Sequence, residues 1–394
     1  MTNFIEGRNL IQENVQLCTR CIFDSSLSGI SFDNEGVCNY CRMVDSLKDQ
    51  YGTGTKKGER LFESLIAQIK KDGARKKYDI VVGVSGGTDS SYMLVLAKRY
   101  GLRPLAVHYD NTWNSAIATQ NIFKVTKALD VDLFTHVCNN KESDDIFRSF
   151  FLASVPEIDG ATDIALTEVI YRAANKYNLK YVFEGHSFVE EGVAPMGKAY
   201  VDGGYIASLH KQFGKMRMHT FPNMTFSKFL FWTVFKRIRK VRPLWYLNYN
   251  KAAAREYLEK EFGWQYYGGH HLENRMSAFH HSFYTPFKFG LDQRNNTLSA
   301  AVRNGTMSRQ IALKYYSDPI RTERDLVEYV IKRFDMTEAE FWRVMNLPKK
   351  FYTDYPTYKQ RFERLRPMFF LLAKANLVPM SFYLKYCFPA KAPT

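Results

Sequence analysis

Hydrophobic positions along the chain change their spacing near residue 78. Before it, Leu61, Phe62, Leu65, Ile66 and Ile69 recur at helical intervals between lysine-rich flanks, which predicts an amphipathic helix. From Tyr78 onward, short apolar runs alternate with turns and longer periodic stretches: YDIVVGV, SGGTDS, SYMLVLAKRY closed by Gly101, PLAVHY, a helical pattern near 114–129, then LFTHVC. YVFEG at 181–185 supplies a further strand. Strand, turn and helix in repetition predict an α/β fold, a parallel sheet with helices on both faces. Residues 190–214 are glycine-rich without a period and read as a long loop of the kind that forms functional lids. Beyond Pro243 the pattern is mainly helical, and Thr337 with Glu340 has the spacing of a capping box.

Composition narrows the classes. The 394 residues are 45% hydrophobic and 15% aromatic, enough to fill a core, so general disorder is excluded. The most apolar stretches, 229–235 and 368–373, are far shorter than the ~20 residues of a membrane span. The start, MTNFIEGRNL, lacks a secretory pattern, so residence in the cytoplasm is expected. Fifty-five Lys and Arg against 40 Asp and Glu give a net charge of +15, which calls for an anionic partner: a nucleotide, an acidic sugar, RNA or a membrane surface. The run Lys236–Arg242 follows an apolar stretch and reads as a basic amphipathic segment, either a solvated face or a contact for a peripheral membrane surface, partner or acidic substrate.

The sharpest chemical signal is Ser85, Gly86, Gly87, Thr88, Asp89 and Ser90, directly between a strand and a helix. Two glycines let backbone approach an anion, and free N–H groups at a helix start point at phosphate oxygens. The hydroxyls add donors, and Asp89 is a candidate Mg²⁺ ligand or turn former. An ordinary serine- and glycine-rich turn is the alternative, but the full string in this setting favours phosphate binding. It is not a Walker loop, because the terminal Gly-Lys-Ser/Thr is missing. His108, Tyr109 and Asp110 close the second strand, and Glu184, Gly185, His186 and Ser187 close a third, positions at which open α/β sheets bind ligands.

Four of the six cysteines form a second signal, Cys18-x2-Cys21 and, sixteen residues on, Cys38-x2-Cys41. Two close pairs suit tetrahedral structural Zn²⁺, with an Fe-S cluster as the rival. His270, His271, His280, His281 and Glu273 match no ligand spacing and read as packing or substrate contacts. Lys288, Arg294, Arg303 and Arg309 sit among aromatics and are candidates for phosphate or carboxylate recognition, surface solvation being the alternative.

SGGTDS after a strand resembles the signature of PP-loop N-type ATP pyrophosphatases, the superfamily of GMP, NAD and asparagine synthetases and tRNA-thiolating enzymes. That resemblance implies an adenine nucleotide alpha hydrolase-like fold that cleaves ATP between the α and β phosphates, with Ser85–Ser90 around the pyrophosphate and the His108–Asn111 strand end beside adenosine. A closer resemblance rests on the order of VGVSGGTDSSYM, VHYDNTWNS, FEGHSFVEEG, YVDGGYI, FGWQYYGGHHLENR and FKFGLDQRNNTLS, which together are similar to the N-acetyl sugar amidotransferase family of surface-polysaccharide biosynthesis. It implies that an acetamido group on a nucleotide-linked or acidic sugar is adenylated with ATP and Mg²⁺, and that ammonia then displaces AMP to leave an acetamidino group. It also implies a separate glutaminase subunit, since Thr2 stands where an amino-terminal cysteine would serve, and Cys138 and Cys387 lie in no glutaminase elbow.

The domains expected are a four-cysteine zinc-binding unit at 1–55, a linking helix at 56–77, a PP-loop ATP pyrophosphatase domain at 78–242 and a mainly helical substrate or partner region at 243–394. Asp89, Asp110, His186 and Lys288 are the catalytic candidates. Glu190, Asp202, Arg294, Arg303 and Arg309 are those for substrate, with Asp110 and Asp202 as further candidates for Mg²⁺. A tRNA-thiolating enzyme is the main alternative, weakened because the central domain offers Cys138 alone; a scaffolding protein at the inner membrane face is a third.

Overall fold

The computed structural model describes residues 4–6, 15–193, 200–268, 272–375, 377–378 and 380–389. The strands are β1 (Phe4–Glu6), β2 (Ile80–Gly83), β3 (Pro104–Asp110), β4 (Leu133–Val137), β5 (Tyr181–Phe183), β6 (Arg239–Val241) and β7 (Arg321–Glu323). The first helices are α1 (Asn39–Tyr51), α2 (Lys56–Gly73), α3 (Thr88–Arg99), α4 (Ala116–Ala128), α5 (Asn140–Leu152), α6 (Gly160–Lys176), α7 (Gly203–Phe213), α8 (Phe226–Leu230) and α9 (Lys251–Phe262).

Five strands form one sheet in the order β4-β3-β2-β5-β6, with every neighbour parallel. Parallel strands need helical crossovers, and these cover both faces. Alternation along β2 shows the division: Ile80 and Val82 share a core with Phe62, Ile66 and Ile69 of α2, Met93 of α3 and Ile122 of α4. Val81 faces the opposite core, with Phe147 and Phe150 of α5 and Val169 of α6. Burial on both faces is why the strand reads as an unbroken apolar run. From β2 the chain builds through β3 to β4, then returns to β2's other side for β5 and β6, leaving a crevice between the carboxyl ends of β2 and β5.

After residue 243 the described chain is mainly helical, and the Thr337–Glu340 capping box forms as expected. Three local expectations change. Part of the 190–214 segment is helical: Asp202 caps α7 by accepting from Tyr205 N at 2.7 Å, and Tyr205, Ile206 and Leu209 are buried. Its leading glycines hid the period, and Gly203 is required because a Cβ there would lie 2.0 Å from the Met224 carbonyl oxygen. The basic run is not an amphipathic face; it holds strand β6, with Ile238 and Val241 buried while Lys240 and Arg242 turn onto Glu184 at 3.0 and 2.6 Å. Finally, β1 pairs antiparallel with β7, a contact between three-residue strands too short to show a pattern.

Glu157 ties α7 to the sheet side. Buried, it accepts from Tyr200 N at 3.0 Å and from the Tyr205 hydroxyl at 3.4 Å, and burial pushes its pKa from 4.5 up to about 8. Its contribution to stability is therefore complete below about pH 4.5 and is lost as pH rises through about 8. In thermal denaturation across that window, the Tm of wild type relative to Glu157→Gln is expected to fall as pH rises; a constant difference would exclude this linkage.

Candidate functional site

The Ser85–Ser90 loop leaves β2 and enters α3 at the crevice. Gly86 has φ +84° and lies so close to α4 that a Cβ would sit 2.2 Å from the Ala118 carbonyl oxygen. Its own carbonyl accepts from Trp264 Nε1 at 3.1 Å and Asn121 Nδ2 at 3.4 Å. Ser90 Oγ accepts from Ser85 N and donates to Gly87 O, both at 3.2 Å, and Ser85 Oγ accepts from Gly87 N at 3.3 Å. Gly87 is the N-cap of α3 and supplies no side-chain cap, so the helix presents its positive end at the loop. The Tyr267 hydroxyl stands over this end, 3.1 Å from where a Gly87 Cβ would be. Burial pushes the Tyr267 pKa up, against the Thr88 amide that hydrogen-bonds its oxygen.

A cleft of about 300 Å³ opens beside this helix end, lined by Thr88, Glu190, Glu191, Asn250, Lys251, Ala252, Arg255, Tyr266, Tyr267, Thr297 and Thr306. Lys251 Nζ lies 2.5 Å from Asp89 Oδ2 and 3.6 Å from Glu191 Oε1, and the Tyr249 hydroxyl donates to Asp89 Oδ1. Burial works against the Lys251 charge, but Asp89 and Glu191 outweigh it and raise the pKa. Arg255 stacks over Tyr266, its guanidinium carbon 4.4 Å from the ring centre. Sequence reading missed Lys251, Arg255, Tyr249 and Tyr267. A usable signal existed for Lys251: Asn250 caps α9, and a lysine in the next position opposes the helix dipole.

At the third rim, Gly185 packs where a Cβ would be 3.2 Å from the Asp89 carbonyl carbon. His186 Nδ1 accepts from Trp245 Nε1 at 3.4 Å, its Nε2 lies 3.8 Å from Glu191, and burial together with Arg242 lowers its pKa. Glu190 is raised by burial. At the second rim, His108 is buried: Nδ1 donates to Val84 O at 2.9 Å and Nε2 accepts from Asn114 Nδ2 at 3.1 Å, a neutral ring that burial keeps below its usual pKa. Tyr109 points into the α5–α6 core beside Cys138. Asp110 Oδ1 accepts from Thr112 N at 2.7 Å.

Other candidates are engaged away from the cleft lining. Lys288 donates to the carbonyls of Val344, Met345 and Leu347 at 2.6–3.1 Å, at the end of helix Glu338–Met345, and burial lowers its pKa to about 8. Arg294 pairs with Asp292 at 2.7 Å and with carbonyls that end helix Arg309–Ser317. Asp202 caps α7 and accepts from Tyr358 N at 2.7 Å. Arg309 donates to the Cys21 and Cys18 carbonyls at 3.0 and 2.9 Å. Arg303 is buried over the Phe23 ring, 5.3 Å from its centre.

Cys18, Cys21, Cys38 and Cys41 are all buried, with every sulfur within 4.8 Å of the others. Cys18 and Cys41 sulfurs are 3.9 Å apart and those of Cys21 and Cys38 3.8 Å. Bonds of about 2.3 Å to one tetrahedral ion put sulfurs about 3.8 Å apart, so the quartet fits a single metal ion. Amides of Arg20, Phe23 and Cys38 point at the sulfurs, as thiolates require. No other group of three or more His, Cys, Asp or Glu among the described residues is arranged to share a metal. His280 Nε2 meets the Pro156 carbonyl at 2.8 Å and stacks near His281, while His270 and His271 lie outside the described residues.

The fold and site together define an α/β protein with a glycine-built loop and an uncapped helix start at its sheet reversal, and a buried four-cysteine group whose spacing fits a metal ion. Residues 273–366 match the family described as LPS biosynthesis protein WbpG-like, C-terminal domain. The chain is 29% identical over 171 residues to the uncharacterized protein MJ1599 of Methanocaldococcus jannaschii, covering 43% of this chain and 58% of that protein. Among solved structures it is similar to NMN synthetase from Francisella tularensis, at 15% identity over 74% of this chain and 97% of that one, TM-score 0.30. It is also similar to the NH3-dependent NAD synthetase from Campylobacter jejuni, at 12% identity with the same coverage, TM-score 0.32. A third is the U34-tRNA thiolase NcsA from Methanococcus maripaludis with its [4Fe-4S] cluster, at 11% identity over 66% of this chain and 81% of that one, TM-score 0.28. No helix among the described residues is long and apolar enough to cross a membrane.

Gly86→Ala is expected to abolish nucleotide binding in calorimetric titration, because its methyl would strike fixed backbone. Lys251→Met is expected to keep the fold, by circular dichroism, and to weaken ATP at least about tenfold, the usual scale for losing a charged hydrogen bond. Unchanged ATP affinity in the second variant would remove Lys251 from the site.

Proposed function

We propose that this chain is an ATP-consuming, AMP-forming amidotransferase that converts an acetamido group on a sugar to an acetamidino group during surface-polysaccharide synthesis. The observation that carries the nucleotide half is the uncapped start of α3 behind Gly86 and Gly87, opening on a cleft with Lys251 and Arg255. What supports phosphate here is the uncapped start of α3 with no side chain at Gly87, and the two cations Lys251 and Arg255 in a cleft they share with Asp89, Glu190 and Glu191. The match of residues 273–366 to an LPS biosynthesis domain supports the sugar half.

In this reading Thr88 and the α3 amides hold the leaving pyrophosphate, while Lys251 and Arg255 neutralise charge that grows on it. ATP supplies the electrophilic phosphorus. The acetamido oxygen attacks the α-phosphorus and pyrophosphate leaves; ammonia then adds to the activated carbon, and AMP departs with the oxygen. Asp89, freed from Lys251 as phosphates bind, and Glu190 or Glu191 are the acids positioned to hold Mg²⁺. Tyr267 has to swing off the helix end to admit the phosphates. His186, held neutral, can take a proton from incoming ammonia.

Ammonia comes from a separate glutaminase, because both cysteines outside the quartet are buried and burial raises their thiol pKa, the reverse of an activated nucleophile. The same burial of Cys138 disfavours tRNA thiolation. The close spacing of the quartet's sulfurs supports one bound ion, read here as structural Zn²⁺, over a cluster in which each sulfur serves its own iron.

Purified protein with ATP, Mg²⁺, ammonium and a panel of acetamido sugars is expected to release AMP in step with a product slightly lighter than substrate, oxygen having been replaced by NH. AMP release without such a product, together with ATP-dependent modification of tRNA, would overturn the sugar assignment. Metal analysis is expected to return one zinc per chain, and strong chelation to lower the Tm; iron with visible absorbance would refute zinc.

A further inference from the structure

We infer that Arg303 and Asn296 form a recognition site for an oxyanion, a carboxylate or phosphate group, that carries a neighbouring O–H or N–H donor. Arg303 is 9% exposed, and its Nε, Nη1 and Nη2 are buried without a hydrogen-bond partner among the described residues. A guanidinium left so is costly, and an anion in bidentate contact is what removes the cost. Asn296 Oδ1 is likewise buried without a partner, while its Nδ2 donates to the Glu191 carbonyl at 2.8 Å, which fixes which end of the amide faces inward.

These two groups meet at one place. A Cβ on Gly192 would lie 2.8 Å from Asn296 Oδ1 and 3.0 Å from Arg303 Nη2, so a bare glycine turn, φ +81°, is what covers them. The Phe23 ring lies against the guanidinium, 5.3 Å from its carbon to the ring centre. Glu190 and Glu191 precede that turn, while Thr297 lies in the first turn of helix Arg294–Arg303 and Thr306 just beyond its end; all four line the cleft beside α3. The site therefore adjoins the cleft, beneath the Gly192 turn. Three donors with a positive charge beside one acceptor select an acid group flanked by a hydroxyl or amide hydrogen. Both an acidic sugar and a sugar-linked diphosphate beside a ribose carry that pattern. Resting on the proposed function, the site names its acceptor as an acid or a nucleotide-linked one.

Binding of UDP-glucuronate, UDP-glucose and UDP to the full chain, by calorimetry and thermal shift, tests this without turnover. Arg303→Met is expected to be no less stable than wild type without probe, since an uncompensated buried charge is gone, and to weaken the oxyanion probe at least about tenfold. Preference for UDP-glucuronate, lost in Arg303→Met, identifies the carboxylate as the anion. Equal binding of all three probes, weakened alike, identifies the diphosphate. Asn296→Asp places a carboxylate beside Arg303, giving up the amide's hydrogen bond to the Glu191 carbonyl, and is expected to block the probe. Wild-type affinities in both variants, or no binding of any probe to wild type, would overturn the site. ATP affinity is expected to be unchanged in Arg303→Met. Failure to form AMP with any acceptor would sink the adenylation reading and leave this binding result standing.

Discussion

Gly86 sits where three segments converge: its missing side chain lets α4 approach, and its carbonyl collects the Trp264 and Asn121 donors. A backbone carbonyl held from two directions cannot rotate, so the amides that follow it stay aimed at the start of α3. The cleft depends on this, because the Trp264–Tyr267 segment that forms its wall is tied to the loop through the same oxygen. Adding one methyl would separate the sheet, α4 and that wall at once, which is why a small residue governs so large a part of the molecule.

The half of the molecule after residue 243 closes around this point with polar joints. Asn274 donates to both Asn111 and Asn114 at 3.0 Å, and Ser115 N donates to the Glu273 carbonyl at 2.8 Å, so the chain is stitched to the rim of β3. Lys288 and Arg294 end helices by meeting carbonyls at their carboxyl ends, and Arg309 does the same for the cysteine knuckle. These cations serve as internal joints.

What the sequence shows and hides follows from range. The Ser85–Ser90 loop was legible because strand, glycines and helix lie within a dozen residues, and the cysteine pairs because a knuckle is local. Lys251 and Tyr267 reach the loop through tertiary folding, and no local spacing announces that. The Lys236–Arg242 run shows its charges, but Glu184, which takes up two of them, lies on another strand. Lys288, Arg294 and Asp202 have the residue types of ligand contacts, and burial against helix ends is decided by neighbours far along the chain. Arg303 differs from them in having none of those ends to meet among the described residues.

The four-cysteine unit completes its knuckle with residues 18–41 alone, yet its seat is made by Ser299, Arg309, Ala312 and Tyr316, and β1 waits for β7 at 321–323. During synthesis the first part of the chain to emerge can therefore take up metal early, while its docking surface is still unmade. Closure joins residues about 300 apart, a contact of very high sequence separation that comes late and slowly. The amino end acts as a clasp fastened last, and a ribosome stalled short of that region would leave a finished cysteine knuckle attached to an open sheet domain.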